Sequence, residues 1–395
     1  MMAPTFSGSA CPEKELLALC ARTRVAPKTS HEIQKLLGGP LDWDYLLDQA
    51  EENSVTPLLE RQLQAAAPNS IPAAANERLK HASRANTVRC LFLTGELFKV
   101  LDLFRAHGIQ GIPYKGPALA VQAYGDVALR EFEDLDIIVR QRDLPKAHEA
   151  MLSLGYQPKF DWILSPGASA ALVPGEYNYR DEGRRVMVEL HTERTLRHFP
   201  VVPDLDDFAR RLVPVLLSGR EISTFVVEDL LSVLCIHGAK DFWERFSWIA
   251  DISELIQGRP EPDWDQVMSR AAGLRALRML ALGLLLANTI LDAPLPPEVL
   301  RRVQQDRVAG EVASEVKQRL LSRESRRLHA AGLVRFRRRM LPGTLAGWRY
   351  ALRLAVVPAE EDWEMMRLPR ALAPLYIALR PLRLLRKYGW GHRSA

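Results

Sequence analysis

Residues 130–139, Arg-Glu-Phe-Glu-Asp-Leu-Asp-Ile-Ile-Val, constrain the fold more than any other stretch. Asp134 and Asp136 stand two residues apart and run straight into the apolar Ile137, Ile138 and Val139. On a strand this spacing puts both carboxylates on one side. Glu133 faces the other way. Two acids held a few ångströms apart repel each other unless a cation sits between them. Hard divalent cations prefer such oxygen ligands, and Mg²⁺ usually keeps waters and bridges to phosphates. The segment is therefore expected to be a strand carrying a metal site, and the chemistry to be metal-dependent phosphoryl or nucleotidyl transfer.

The surroundings fit that expectation. Upstream, His107-Gly108-Ile109 to Tyr114 reads as helix end, turn and strand. Lys115-Gly116-Pro117 then opens a short helix, with proline where its missing N–H costs nothing. Gly116 permits close backbone approach to a ligand, and a helix start offers free N–H groups to phosphate. Downstream, Glu176 to Arg180, the turn Asp181-Glu182-Gly183, and Arg185 to His191 read as a hairpin. Its second strand carries Glu189, a candidate third carboxylate. His191 shares that face, and Glu193 is a possible substitute for the acid.

The order strand, Lys-Gly, helix, Asp-x-Asp strand, then a strand with a third acid resembles the polymerase-β-like nucleotidyltransferases. The closer resemblance is to the bacterial uncharacterised nucleotidyltransferase family. It is carried by Lys115-Gly116-Pro117-Ala118-Leu119, Tyr124-Gly125-Asp126, Arg130 to Val139 and Val188-Glu189-Leu190-His191. It continues through Leu234 to Trp243, Trp248 to Ile252, and Glu361-Asp362-Trp363, Tyr376 and Arg380 to Arg383 in the tail. Many superfamily members follow the glycine with a serine that contacts the triphosphate; here Pro117 and Ala118 stand there.

The resemblance implies an α+β fold. A small mixed β-sheet nucleotidyltransferase core would carry N-terminal helices and a larger C-terminal helical domain. It implies transfer of a nucleotide monophosphate from an NTP to a hydroxyl-bearing acceptor, with Mg²⁺ or Mn²⁺ as cofactor and release of pyrophosphate. Asp134, Asp136 and Glu189 would be the catalytic metal ligands. Lys115, Gly116, Arg130 and Lys240 would bind the nucleotide. Small molecule, peptide, protein and RNA all remain open as acceptor. The alternative is a catalytically inactive nucleotide- or RNA-binding module that kept the fold.

With 395 residues, 47% of them apolar and 26% charged, the chain has the composition of an ordinary globular protein with a sizeable core. A net charge of +5 suits anionic substrates without asserting nucleic-acid binding. Cys11, Cys20, Cys90 and Cys235 form no paired motif, so a reducing cytoplasm is expected. Residues 1–10 lack signal-peptide character. Met279 to Ala287, the most apolar run, is too short for a membrane span and reads as a buried helix.

Four consecutive segments are expected: a loosely ordered 1–40, helices over 41–108, the nucleotidyltransferase core over 109–219, and a helical domain with a basic tail over 220–395. Helices are predicted over 12–23, 43–65, 73–106, 144–154, 229–240, 246–257, 263–291, 298–331, 345–354 and 370–388, with Asp143 and Asp263 as N-caps. Ala168 to Pro174 reads as loop. Leu91, Phe92, Leu93, Leu97, Val100, Leu101 and Phe104 form a predicted core stripe.

Other groups admit two readings. Arg130 either neutralises triphosphate or forms a structural ion pair. His237, Lys240 and Asp241 share a helix face; Lys240 could bind phosphate and Trp243 could stack a base, or the motif packs helices. Asp251 reads as structural. Arg323, Arg326, Arg327, Arg335, Arg337, Arg338 and Arg339 could follow a phosphate backbone but read better as a solvated face. Trp348, Trp363 and Trp390 read as packing residues.

Overall fold

The Asp-x-Asp segment forms strand β2, Asp134–Ile138, in a computed structural model describing residues 11–159, 175–192, 204–258, 261–324, 330–341, 343–358, 362, 365, 372 and 375–388. Ala168 to Pro174, Glu193, Arg326, Arg327, Trp363 and Trp390 lie outside the described residues. The fold is α+β. Two compact units are each drawn from three stretches of chain, whereas the sequence reading divides the chain into consecutive segments. One comprises 1–95, 115–133 and 213–327; the other comprises 96–114, 134–212 and 328–395.

The second unit holds a five-stranded mixed sheet. Its strands are β1 (Ile112–Pro113), β2, β3 (Gln157–Pro158), β4 (Glu176–Asp181) and β5 (Val186–His191), in the order β1-β2-β5-β4-β3. The pair β2–β5 is parallel and the other pairs are antiparallel. Period-two patterning explains its two faces. Leu135, Ile137, Val188, Leu190, Tyr177 and Tyr179 alternate onto the buried side. Asp134, Asp136, Glu189, Asn178 and Glu176 alternate onto the other. The hairpin turn needs Arg185 at a positive φ of 56°.

The first unit is built from helices and one short hairpin. The predicted apolar run lies in the Leu277–Leu291 helix, which packs against helices Val227–Lys240, Phe246–Gln257 and Arg307–Leu321. Leu280, Leu282, Leu284 and Leu286 are all sealed from solvent. No helix among the described residues is long and apolar enough to cross a membrane. The hairpin, β6 (Val213–Leu217) with β7 (Arg220–Thr224), was not expected from the sequence. The Ser218-Gly219 turn between alternating segments was the overlooked signal.

Within the stretch 1–40, expected to be loosely ordered, helices Pro12–Cys20 and Pro27–Leu37 form, and several other helix limits differ from expectation. The run over 43–65 splits into Trp43–Glu52 and Thr56–Ala66. That over 263–291 splits at Arg275, which takes a left-handed φ of 57°. Asp306 ends Pro297–Gln304 and caps Arg307–Leu321 by accepting from Ala309 N. Asp263 caps as predicted, accepting from Gln266 N, but Asp143 makes no capping bond. Helix Ala73–Ala106 forms as predicted, yet Leu91 and Phe92 of its stripe face solvent. Trp348 is 74% exposed and is not a packing residue. Pro381 sits inside the Leu375–Tyr388 helix.

Candidate metal centre

The parallel pairing of β2 with β5 sets the site. Its register places Asp134 opposite Met187, Asp136 opposite Glu189, and Ile138 opposite His191. Paired residues project from the same face, so the acids meet although 53 positions separate Asp136 from Glu189 in the chain. Ligand atoms of Asp136, Glu189 and His191 all lie within 4.8 Å of one another. Asp134 stands on the same face two residues before Asp136.

His191 is 3% exposed, and its Nε2 lies 2.9 Å from Asp136 Oδ1 and 3.6 Å from Glu189 Oε2. Tyr114 packs edge-on against the imidazole, with ring centroids 5.5 Å apart. Burial draws the His191 pKa down, but the Asp136 hydrogen bond and the charges of Asp136, Glu176 and Glu189 outweigh it and raise the value. Burial pushes the Glu189 carboxyl up to about 7; His191 opposes this, while Glu176, Asp136 and Asp134 add to it. Glu189 thus reports a desolvated site with more negative charge than His191 offsets.

Glu176 is the acid that sequence reasoning missed. It lies opposite His191 across the β4–β5 pair and acts on both His191 and Glu189. The signal was available in the alternation Glu176-Tyr177-Asn178-Tyr179-Arg180, which puts every second, polar residue on the acid-bearing face.

The donor set fits a divalent cation of the oxygen-preferring kind. Carboxylates suit Mg²⁺ and Mn²⁺, and an imidazole nitrogen moves preference toward the transition-metal end of that range. His191 Nε2 is engaged with Asp136 and orients it.

The remaining expected residues belong to the first unit. Lys115 is half-buried and precedes the short helix Gly116–Leu119; Gly116 adopts φ 52°, which an L side chain resists. The chain continues through a π-helical turn, Ala120–Tyr124, to Gly125 at φ 74°. Arg130 makes a bidentate pair with Asp251, at 2.8 Å and 3.0 Å, and the Tyr124 hydroxyl donates to the same carboxylate at 2.8 Å. Its guanidinium therefore sits in a nearly buried ion pair. Asp126 caps the next turn by accepting from Ala128 N. The Tyr-Gly-Asp and Arg130 motif positions thus shape this segment.

Lys240 ends the Val227–Lys240 helix and is half-buried. His237 Nδ1 lies 3.1 Å from Asp241 Oδ2. The base-stacking role for Trp243 does not hold: the residue has no exposed surface. A side chain at Gly238 would collide with its indole at 2.5 Å, and one at Gly283 would approach it at 3.1 Å. The indole fills the space those glycines leave between helices. Arg323 pairs with Asp42 at 2.5 Å and covers the Tyr45 ring, while Arg335 and Arg338 are exposed.

The sequence profile described as Uncharacterised nucleotidyltransferase matches residues 39–292, more than half of the chain. The chain belongs to this nucleotidyltransferase family. A crystal structure of an antigenic nucleotidyltransferase-like protein from Paracoccidioides brasiliensis is similar at 16% identity and a TM-score of 0.29, covering 55% of this chain and 94% of that one. No curated protein matches this family member.

Proposed function

We propose that the protein is a metal-dependent nucleotidyltransferase that moves a nucleotide monophosphate from an NTP to a hydroxyl-bearing acceptor with release of pyrophosphate. The observation that carries this reading is the β2–β5 register, which gathers Asp136, Glu189 and His191 beside Asp134 in a desolvated, negatively charged patch. Family membership supports the transfer class.

Asp134, Asp136 and Glu189 would hold Mg²⁺ or Mn²⁺, with His191 fixing the Asp136 carboxylate. A bound divalent cation would neutralise triphosphate charge and ease deprotonation of the acceptor. Glu189, whose carboxyl is shifted to about 7, is suited to accept the hydroxyl proton. Lys115, the Gly116 backbone and Lys240 are the proposed phosphate contacts. Arg130, whose guanidinium Asp251 already holds, positions its segment. The test is incubation with each labelled NTP, Mg²⁺ or Mn²⁺ and cell extract, followed by identification of the labelled species. Labelled product with the wild type and none with Asp136→Asn is the expected outcome; no labelled species with any NTP contradicts the proposal.

Glu189 also predicts a pH dependence. Its ordinary value is 4.5 and its folded value is about 7, so the folded state favours the neutral form. The stability it contributes is complete below 4.5 and is lost as pH rises through about 7. In EDTA the wild-type melting temperature should therefore fall across that interval, and Glu189→Gln should flatten the fall. Thermal unfolding at stepped pH checks this; equal slopes in both proteins would contradict it. In turnover assays the same variant should lose kcat more than NTP affinity. If Glu193→Gln is damaging and Glu189→Gln silent, the third acid is Glu193.

Lys115→Ala should raise KM for NTP about tenfold, since hydrogen bonds to charged groups contribute roughly 1.5–3 kcal/mol. Gly116→Val should be worse, because a β-branched side chain blocks backbone approach and resists the positive φ. Calorimetry showing undiminished NTP affinity in both variants would move phosphate binding away from this turn.

A further inference from the structure

The acid-bearing face of the sheet does not end at Glu189. The β4–β5 register sets Asn178 opposite Glu189 and Arg180 opposite Met187. Across three strands the face therefore reads Asp136, Glu189, Asn178 in one row and Asp134, Met187, Arg180 in the next. Tyr177 and Tyr179 occupy the buried side, which fixes the orientation of their neighbours. Arg180 is thus the diagonal neighbour of Glu189, at a separation of about 7–8 Å that a long side chain spans.

Arg180 is exposed, and among the described residues no hydrogen bond, ion pair or ring contact engages its guanidinium. This contrasts with Arg184 in the same hairpin, whose guanidinium is tied to Asp181 and Glu96 at 2.7 Å each. A fork of charged donors is therefore presented beside the acids without being used to neutralise them. Guanidinium matches carboxylate and phosphate bidentately.

Its place in the sheet decides which substrate it would meet. The strand β2, which carries Asp134 and Asp136, the proposed metal ligands, lies on one side of β5. Arg180 and Asn178 lie on β4, beyond β5 and next to the β3 edge. Glu189 on β5, between β2 and β4, is the proposed receiver of the acceptor proton.

We infer that Arg180, with Asn178, forms an acceptor subsite for a molecule that carries an anionic group, phosphate or carboxylate, close to its reacting hydroxyl. The inference rests on the nucleotidyl-transfer reading. The full-length protein, saturated with Mg²⁺ and a non-hydrolysable NTP analogue, is titrated calorimetrically with glycerol 3-phosphate, glycerate and glycerol. The two anions should bind at least tenfold more tightly than glycerol, and their relative affinities distinguish phosphate from carboxylate. Arg180→Gln should remove that preference while leaving affinity for the NTP analogue unchanged, and Arg180→Lys should restore part of it. An NTP analogue that binds with no preference for anions overturns this inference alone, as does an anion preference undiminished in Arg180→Gln. An analogue that does not bind overturns the nucleotidyl-transfer reading and the acceptor subsite with it.

Discussion

Asp136→Asn is expected to abolish nucleotidyl transfer and leave the protein folded. The loss should be at least about a thousandfold, since cation stabilisation of developing charge is worth several kcal/mol. Asparagine keeps an oxygen where Asp136 meets His191 Nε2 but removes the charge that a cation needs. It also removes one of the like charges acting on Glu189, so the metal-free melting temperature should hold or rise. Turnover of labelled NTP and thermal unfolding, measured on the same preparation, check both parts. A variant that transfers nucleotide at the wild-type rate contradicts the metal site. One that unfolds instead would assign Asp136 to folding.

The largest stability effect is expected at Asp251→Ala. Its carboxylate is held among Arg130 and Tyr124, with side-chain exposures of 10% for Arg130 and 3% for Asp251. Removing one partner of such a pair leaves a nearly buried charge uncompensated, which costs about 3–5 kcal/mol. The denaturation midpoint should fall accordingly. Asp251→Asn should cost less, because it keeps an acceptor for the Tyr124 hydroxyl. A loss under about 1 kcal/mol for Asp251→Ala would mean that Arg130 is not committed to this pair. Phosphate binding would then return as its role.

The fold and much of the site were legible where local pattern and tertiary need agree. Asp134-Leu135-Asp136 followed by apolar residues has one stable arrangement, a strand polar on one face. The hairpin of β4 and β5 declared itself through its Asp-Glu-Gly turn. Glu189 and His191 follow from period two once that hairpin is accepted. What escaped depended on pairing between distant strands. Glu176 joins the cluster only because β4 runs antiparallel to β5 in one register, which alternation suggests and cannot fix alone. Of the two readings open for Trp243, only packing decides in favour of the buried one. Its environment is set by Gly238 and Gly283, on two separate helices, and only packing shows that they leave room for an indole. Asp251 reads as structural and Arg130 as a nucleotide contact or an ion-pair partner, but their pairing spans 121 residues of chain and no local pattern announces it. The break at Asp306 is set by its own cap on Ala309 N, and that at Arg275 by a left-handed φ, neither of which interrupts the apolar periodicity.

The central claim is that Asp134, Asp136, Glu189 and His191 form a divalent-cation site that works with an NTP. Titration of Mn²⁺ followed by electron paramagnetic resonance, with and without NTP, tests it most directly. The account predicts saturable binding that tightens when NTP is present and is lost in Asp136→Asn. Mn²⁺ that binds the wild type and Asp136→Asn equally, or ignores NTP, would contradict it.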